Sequence, residues 1–217
     1  STIKKSVSVS GVGLHTGVSA TVTFHPAPAN HWFVFKRIDL EGQPLIKVDA
    51  DNVSDTARGT TLQANGAKIS TTEHVLAALV GLQIDNVLIE VDGPEVPIMD
   101  GSSKPFVDAL LEVGLEEQVE ARDIFVLEDI LSYEEPSRNV EMLAVPSPDY
   151  RITVMVDYNS PVLGTQHAQL HKIDEFKENI SPCRTFVFVH ELEMLVKHNL
   201  IKGGDLNNAI VVVDREI

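Results

Sequence analysis

Glu73 and His74 stand side by side in STTEHVLAAL, at the start of a stretch whose apolar residues recur at helical spacing. A carboxylate next to an imidazole at such a place has two kinds of use. The first is structural. Ser70-x-x-Glu73 has the form of a capping box, in which the serine hydroxyl accepts an orphan amide and the glutamate reaches back to the cap amide. Val75, Leu76, Leu79 and Val80 would then be the buried stripe. The second is chemical: His74 binds a metal and Glu73 acts as general base on the metal's water. A helix N-terminus disfavours a protonated imidazole, and a metal ligand must be neutral. A catalytic zinc takes three protein ligands, however, and this spacing supplies one. HExxH fails because Ala78 stands four residues after His74, and HxxEH fails because Ser70 stands three before Glu73. His190-Glu191-Leu192-Glu193 is followed by Met194 and fails as well. The residue pattern leaves both readings open.

Other stretches are weaker. GVGLHTG (Gly11 to Gly17) lacks the Gly-Lys-Ser/Thr of a phosphate loop and reads as a hairpin turn. IKGGDLNN (Ile201 to Asn208) is no nucleotide motif, and Gly203 reads as the end of the preceding helix. Asp100 in MDGS reads as a turn residue. Cys183 has no base beside it and reads as a core thiol.

Composition narrows the classes. Seventeen basic against thirty-two acidic residues give a formal net charge of -15, a field that repels nucleic acid and anionic membranes. No nucleic-acid partner is expected, and an anionic substrate would need a local cluster of positive charge. The longest apolar runs, such as AIVVV (Ala209 to Val213), are too short for a transmembrane segment. STIKKSVSVSG has no apolar core of signal-peptide type, and one cysteine allows no internal disulfide, so the expected location is the cytoplasm.

The elements that must position Glu73 and His74 follow from periodicity. SVSVS (6–10), SATVTFHP (19–26), WFVFKRID (32–39) and NVLIEVDG (86–93) read as strands. The Glu-His helix precedes the last of these. PIMDGSSKPFVDALLEVG predicts a turn and then a helix with Phe106, Val107, Leu110 and Leu111 on one face and Gly114 at its end. EEQVEARD (116–123) is charged, lacks periodicity and reads as a linker. Beyond it, DIFVLED, NVEMLAVP, YRITVMVDY, TFVFV and AIVVVD read as strands, and IDEFKENI and ELEMLVKHNL as helices. The expectation is an α+β chain of two domains, residues 1–120 with the Glu-His motif and an incomplete second α+β domain over 124–217.

GVGLHTG, HPAPAN, STTEHVLAAL, IDNVLIEV, PEVPIMDGS, CRTFVF and IKGGDLNNAIVV occur in this order. Together they resemble the bacterial zinc deacetylases of lipid A synthesis, the UDP-3-O-acyl-N-acetylglucosamine deacetylases. The resemblance runs from about residue 3 to the end. The IKGGDLNN variant resembles the form fused to a 3-hydroxyacyl-carrier-protein dehydratase, which makes a downstream fused dehydratase a possible partner.

The resemblance implies two domains, each a mainly antiparallel sheet with a helix pair, packed helix layer to helix layer with the site between them and the second domain truncated. It implies Glu73 as general base, His74 as a ligand of Zn2+, and Thr185 as the hydroxyl that holds the substrate carbonyl or oxyanion. Phe186 would contact substrate. Val189, Leu192, Ile201, Gly204, Ala209 and Val211 would line an acyl-chain passage, and Asp157 and Tyr158 would lie on the nucleotide side. His15 and Asp100 would support the site, and Arg58-Gly59 would occupy a loop near it. The implied reaction is hydrolysis of the acetamide of UDP-3-O-acyl-N-acetylglucosamine. The family's other two zinc ligands lie in a later His-x-x-x-Asp helix, and a further histidine follows in a Gly-His segment. His190, His198 and Asp214 match none of these positions, so the expectation is that this 217-residue chain alone is inactive.

Overall fold

Residues 1–213 are described by a computed structural model. In chain order the first half holds β1 (Thr2–Ile3), β2 (Val7–Val12), β3 (Ser19–Pro26), β4 (Phe33–Arg37), β5 (Leu45–Lys47), β6 (Val53–Asp55), β7 (Thr61–Ala64), β8 (Ala67–Ile69), α1 (Glu73–Gly81), β9 (Val87–Val91), α2 (Lys104–Val113) and β10 (Leu115–Glu116). The second half holds β11 (Leu131–Glu135), β12 (Val140–Ala144), β13 (Ile152–Asp157), β14 (Thr165–Leu170), β15 (Phe186–Phe188), α3 (Val189–Lys197) and β16 (Ile210–Val212). The chain is thus mixed α and β, rich in sheet and poor in helix.

The main sheet has five strands in the order β2-β3-β9-β4-β5, antiparallel except where β4 runs parallel to β9. Alternation in the sequence built it. Ala20, Val22 and Phe24 of β3 and Val87, Ile89 and Val91 of β9 point inward and are buried. The outward hydroxyls pair across strands, Ser8 with Thr23 at 2.8 Å and Ser10 with Thr21 at 2.9 Å. Val75 and Leu79 of α1 and Phe106 and Leu110 of α2 cover the inner face, and Phe106 meets Phe24 edge-on at 6.4 Å. Full burial of each such side chain contributes about 2 kcal/mol. Val80 and Leu111, expected on the buried stripes, are 46% and 44% exposed, while Ala78 takes the inward place in α1. A second sheet, β6-β7-β8, is tied to the first through Arg37, which pairs with Asp39 at 2.8 Å and donates to the Lys68 carbonyl.

The second half is built from two-stranded pieces: antiparallel β11-β12 and β13-β14, and parallel β15-β16 joined through α3. DIFVLED forms no strand; Ile124, Phe125 and Val126 are exposed irregular chain, and pairing begins at Leu131. IDEFKENI forms a short 3-10 turn and a π-turn instead of an α-helix. Its Phe176 is buried against Gly81 of α1, where a Cβ would overlap the ring. The last residue of AIVVVD, Asp214, lies outside the described residues. EEQVEARD, expected as a linker, is tied to the first half: Glu116 lies in β10 opposite Thr2, Gln118 donates to the Ala27 carbonyl and Arg122 pairs with Asp85 at 2.7 Å.

Candidate functional site

Thr72 is the cap of α1 and makes no side-chain capping bond. The capping box is therefore not formed. The Ser70 amide is already given to the Pro94 carbonyl, and the Ser70 hydroxyl accepts from Thr61 at 3.2 Å. Glu73 turns its carboxylate the other way, where Oε2 accepts the Thr60 amide at 2.8 Å. Oε1 faces Gly59 so closely that a Cβ there would stand 3.1 Å from it. Thr71, just before this entry, holds a left-handed φ of 58°. That is strained for a β-branched residue, and such strain persists only when its surroundings over-determine it.

His74, half-buried, follows on the first turn of α1. Burial pushes its pKa below the ordinary imidazole value, and the charges of Glu73 and Asp100 partly oppose this. The ring is thereby biased toward the neutral form that a metal ligand or hydrogen-bond acceptor needs. Asp100 sits in a tight turn, its Oδ1 accepting the Ser102 amide at 3.0 Å and hydroxyl at 2.7 Å. The same turn receives the second half of the chain. The Thr185 amide donates to the Gly101 carbonyl at 2.7 Å, and Arg184 Nε donates to the Asp100 carbonyl at 2.6 Å. Thr185 therefore reaches the turn whose carboxylate acts on His74.

Phe186 and Tyr158 lie together edge-to-face at 5.3 Å, and Phe186 meets Phe188 at 5.5 Å. Asp157, exposed, spends its Oδ1 on the Asn159 amide. Val189 and Leu192 are half-buried on α3, on the face that ends in the buried Leu195. Val211 lies opposite Val187 in the parallel pair, and Ile210, next to Ala209, donates its amide to the Thr185 carbonyl. Ile201 and Gly204 belong to a loop that docks on the first hairpin. There the Gly203 amide donates to the Leu14 carbonyl at 3.1 Å and the Lys202 amide to the His15 carbonyl at 3.4 Å. A Cβ on Gly203 would overlap the Gly13 carbonyl. Gly203 thus does not end α3, which closes at Lys197 with Asn199 left-handed at φ 62°. GVGLHTG is the hairpin turn that its sequence predicts, between β2 and β3. Cys183 is exposed, not a core thiol, because it falls in the turn before β15.

Sequence reasoning missed Glu95. It is 1% exposed, and its two oxygens accept the amides of His15 and Thr16 and the hydroxyls of Thr16 and Thr71 at 2.7 to 3.2 Å. The signal was available: a lone carboxylate between prolines in the otherwise apolar PEVPIM. In the loop before Thr60, Arg58 pairs with Glu191 of α3 at 3.0 Å. Among the described residues, no group of three or more His, Cys, Asp or Glu side chains could hold a metal ion. His74 is a single donor, so a zinc ion does not find a complete site in these residues.

A carboxylate and an imidazole thus stand side by side at a helix entry, beside a turn that the Thr185 backbone joins. The chain belongs to the UDP-3-O-acyl N-acetylglycosamine deacetylase family, whose model matches residues 1–217. It is 47% identical over 217 residues to the bifunctional enzyme LpxC/FabZ of Chlorobaculum tepidum, covering 100% of this chain and 46% of that protein. It is 47% identical over 216 residues to the protein of the same name from Bacteroides thetaiotaomicron, with 100% and 47% covered. It is 40% identical over 212 residues to the UDP-3-O-acyl-N-acetylglucosamine deacetylase of Myxococcus xanthus, with 97% and 67% covered. The chain spans about half the length of the two bifunctional relatives.

Proposed function

We propose that the protein to which this chain belongs hydrolyses the acetamide of UDP-3-O-acyl-N-acetylglucosamine, releasing acetate in lipid A synthesis. One observation carries this. Glu73 is released from helix capping and held by the Thr60 amide beside a half-buried His74. In this reading Glu73 takes a proton from the attacking water, the Thr185 hydroxyl donates to the developing oxyanion, and the turn at Asp100–Gly101 holds Thr185 in reach. Phe186 and Tyr158 form an aromatic wall for the substrate, and Asp157 lies beside it. Val189, Leu192, Ile201, Gly204, Ala209 and Val211 line the acyl chain's path.

Zinc dependence belongs to the same proposal. His74 would be one donor, and the remaining donors would lie outside the described residues. The division into domains 1–120 and 124–217, with helix layers facing across the site, is also part of it. So is a cytoplasmic location, for which the support is that no helix among the described residues is long and apolar enough to cross a membrane. The names of the bifunctional relatives support a fused FabZ dehydratase as partner. The test is acetate release from UDP-3-O-acyl-N-acetylglucosamine by the full-length protein, with and without a zinc chelator. Chelator-sensitive release is expected. No release from folded, zinc-loaded protein would overturn the proposal.

A further inference from the structure

Glu95 has no place in the reaction just proposed, yet its surroundings are costly. A buried carboxylate needs compensation worth several kcal/mol. Among the described residues no cation pairs with it; every contact is a neutral donor. Those donors lead to Glu73 by two routes.

The first runs through Thr71. Its hydroxyl donates to Glu95 Oε1 at 2.8 Å while its backbone holds the strained φ of 58°. Thr71 is two residues before Glu73, so this clamp sets the direction in which α1 begins. The second runs through the hairpin turn. Both Glu95 oxygens accept the His15 amide, at 3.0 and 3.2 Å. The His15 ring then donates from Nε2 to the Arg58 carbonyl at 3.2 Å, which fixes that tautomer and leaves the buried Nδ1 without a partner. Two residues on, the Thr60 amide donates to Glu73 Oε2. The ring of contacts closes where the Thr72 amide and hydroxyl both donate to the Thr60 carbonyl at 3.1 Å. Each route ends on the same carboxylate.

We propose that Glu95 is a positioning residue for Glu73: it locks the helix entry and the Arg58–Thr60 loop together so that the Glu73 carboxylate stays aimed at the reacting water. This rests on the reading of Glu73 as general base. It explains why Gly59 leaves no room beside Oε1, since the loop is held hard against the carboxylate.

The test is a double-mutant cycle in the full-length protein, with kcat and KM for acetate release measured for Glu95→Gln, Glu73→Gln and the pair. Glu95→Gln keeps the shape and puts an amide donor among donors. It is expected to lower kcat by about tenfold to a hundredfold, as a misplacement near 1 Å does, with KM within about twofold. In the Glu73→Gln background it should remove nothing further from the residual rate, because residues acting as a unit are non-additive. An unchanged kcat, or the same fold-loss in both backgrounds, would overturn the positioning role while leaving Glu73 as base. Full activity of Glu73→Gln alone would overturn the base reading and this proposal with it. If Glu95→Gln does not fold, the isosteric Thr71→Val enters the same cycle with the same expectations.

Discussion

At the scale of single residues, the telling fact is where the Glu73 carboxylate does not go. Ser70-x-x-Glu73 is a sound capping pattern, and the chain declines it because the Ser70 amide is already committed to Pro94. Glu73→Gln in the full-length protein is therefore expected to lower kcat by about 10²–10⁴, the usual worth of a general base. Its thermal stability should stay within about 0.5 kcal/mol of wild type, since Gln still accepts the Thr60 amide. A loss of stability without loss of acetate release would return Glu73 to a structural role. Glu73, His74 and Thr185 stood out in the sequence as candidates because their neighbours repeat a family pattern. Glu95 was not, since one carboxylate in an apolar run gives no spacing, and its meaning depends on hydroxyls and amides distant in sequence.

At the scale of elements, alternation revealed four of the five strands of the main sheet because each has one face buried and one face wet; three-residue β5 is too short to show a period. DIFVLED misled for the complementary reason: its residues are as apolar as a core strand, but no neighbour in the described chain pairs with them. The joint between the five-stranded and the three-stranded sheet offers a sharper test. The hydrogen bond and charge of the Arg37 guanidinium hold the Asp39 carboxyl below its ordinary pKa. The folded state thus binds that proton less readily than the unfolded chain. Its stabilisation is full above the unfolded value of about 3.9 and is lost as pH falls through the lower folded value. Asp39→Asn is expected to cost about 1 kcal/mol at neutral pH and to flatten the acid limb of stability below about pH 4, measured by denaturant unfolding.

At the scale of the whole molecule, two of the contacts that bind the halves of the chain are Phe176 on Gly81 of α1 and the 201–204 loop on the first hairpin turn. Neither is visible in periodicity, because each is a single close approach between distant segments. Gly81→Ala is expected to destabilise by about 1–3 kcal/mol through overpacking against the Phe176 ring, with partial recovery in Gly81→Ala/Phe176→Leu, read by thermal unfolding. The 217-residue chain by itself should release no acetate and should hold zinc weakly at equilibrium dialysis, because its described residues do not complete a three-donor set. Measured turnover by that polypeptide would show that its own residues suffice.

The joint at the first hairpin is made by main-chain amides meeting main-chain carbonyls, with Gly13 and Gly203 back to back. Such a contact does not read side chains. Leu14 and Lys202 can be rewritten over evolutionary time without unfastening it, whereas His15, whose ring reaches the Arg58 carbonyl, is tied to more than this joint. Loop length cannot be rewritten. One inserted or deleted residue on either side shifts donor against acceptor. In this corner of the molecule, substitutions at Leu14 and Lys202 should be inherited freely, while side chains at Gly13 or Gly203 and insertions are rejected.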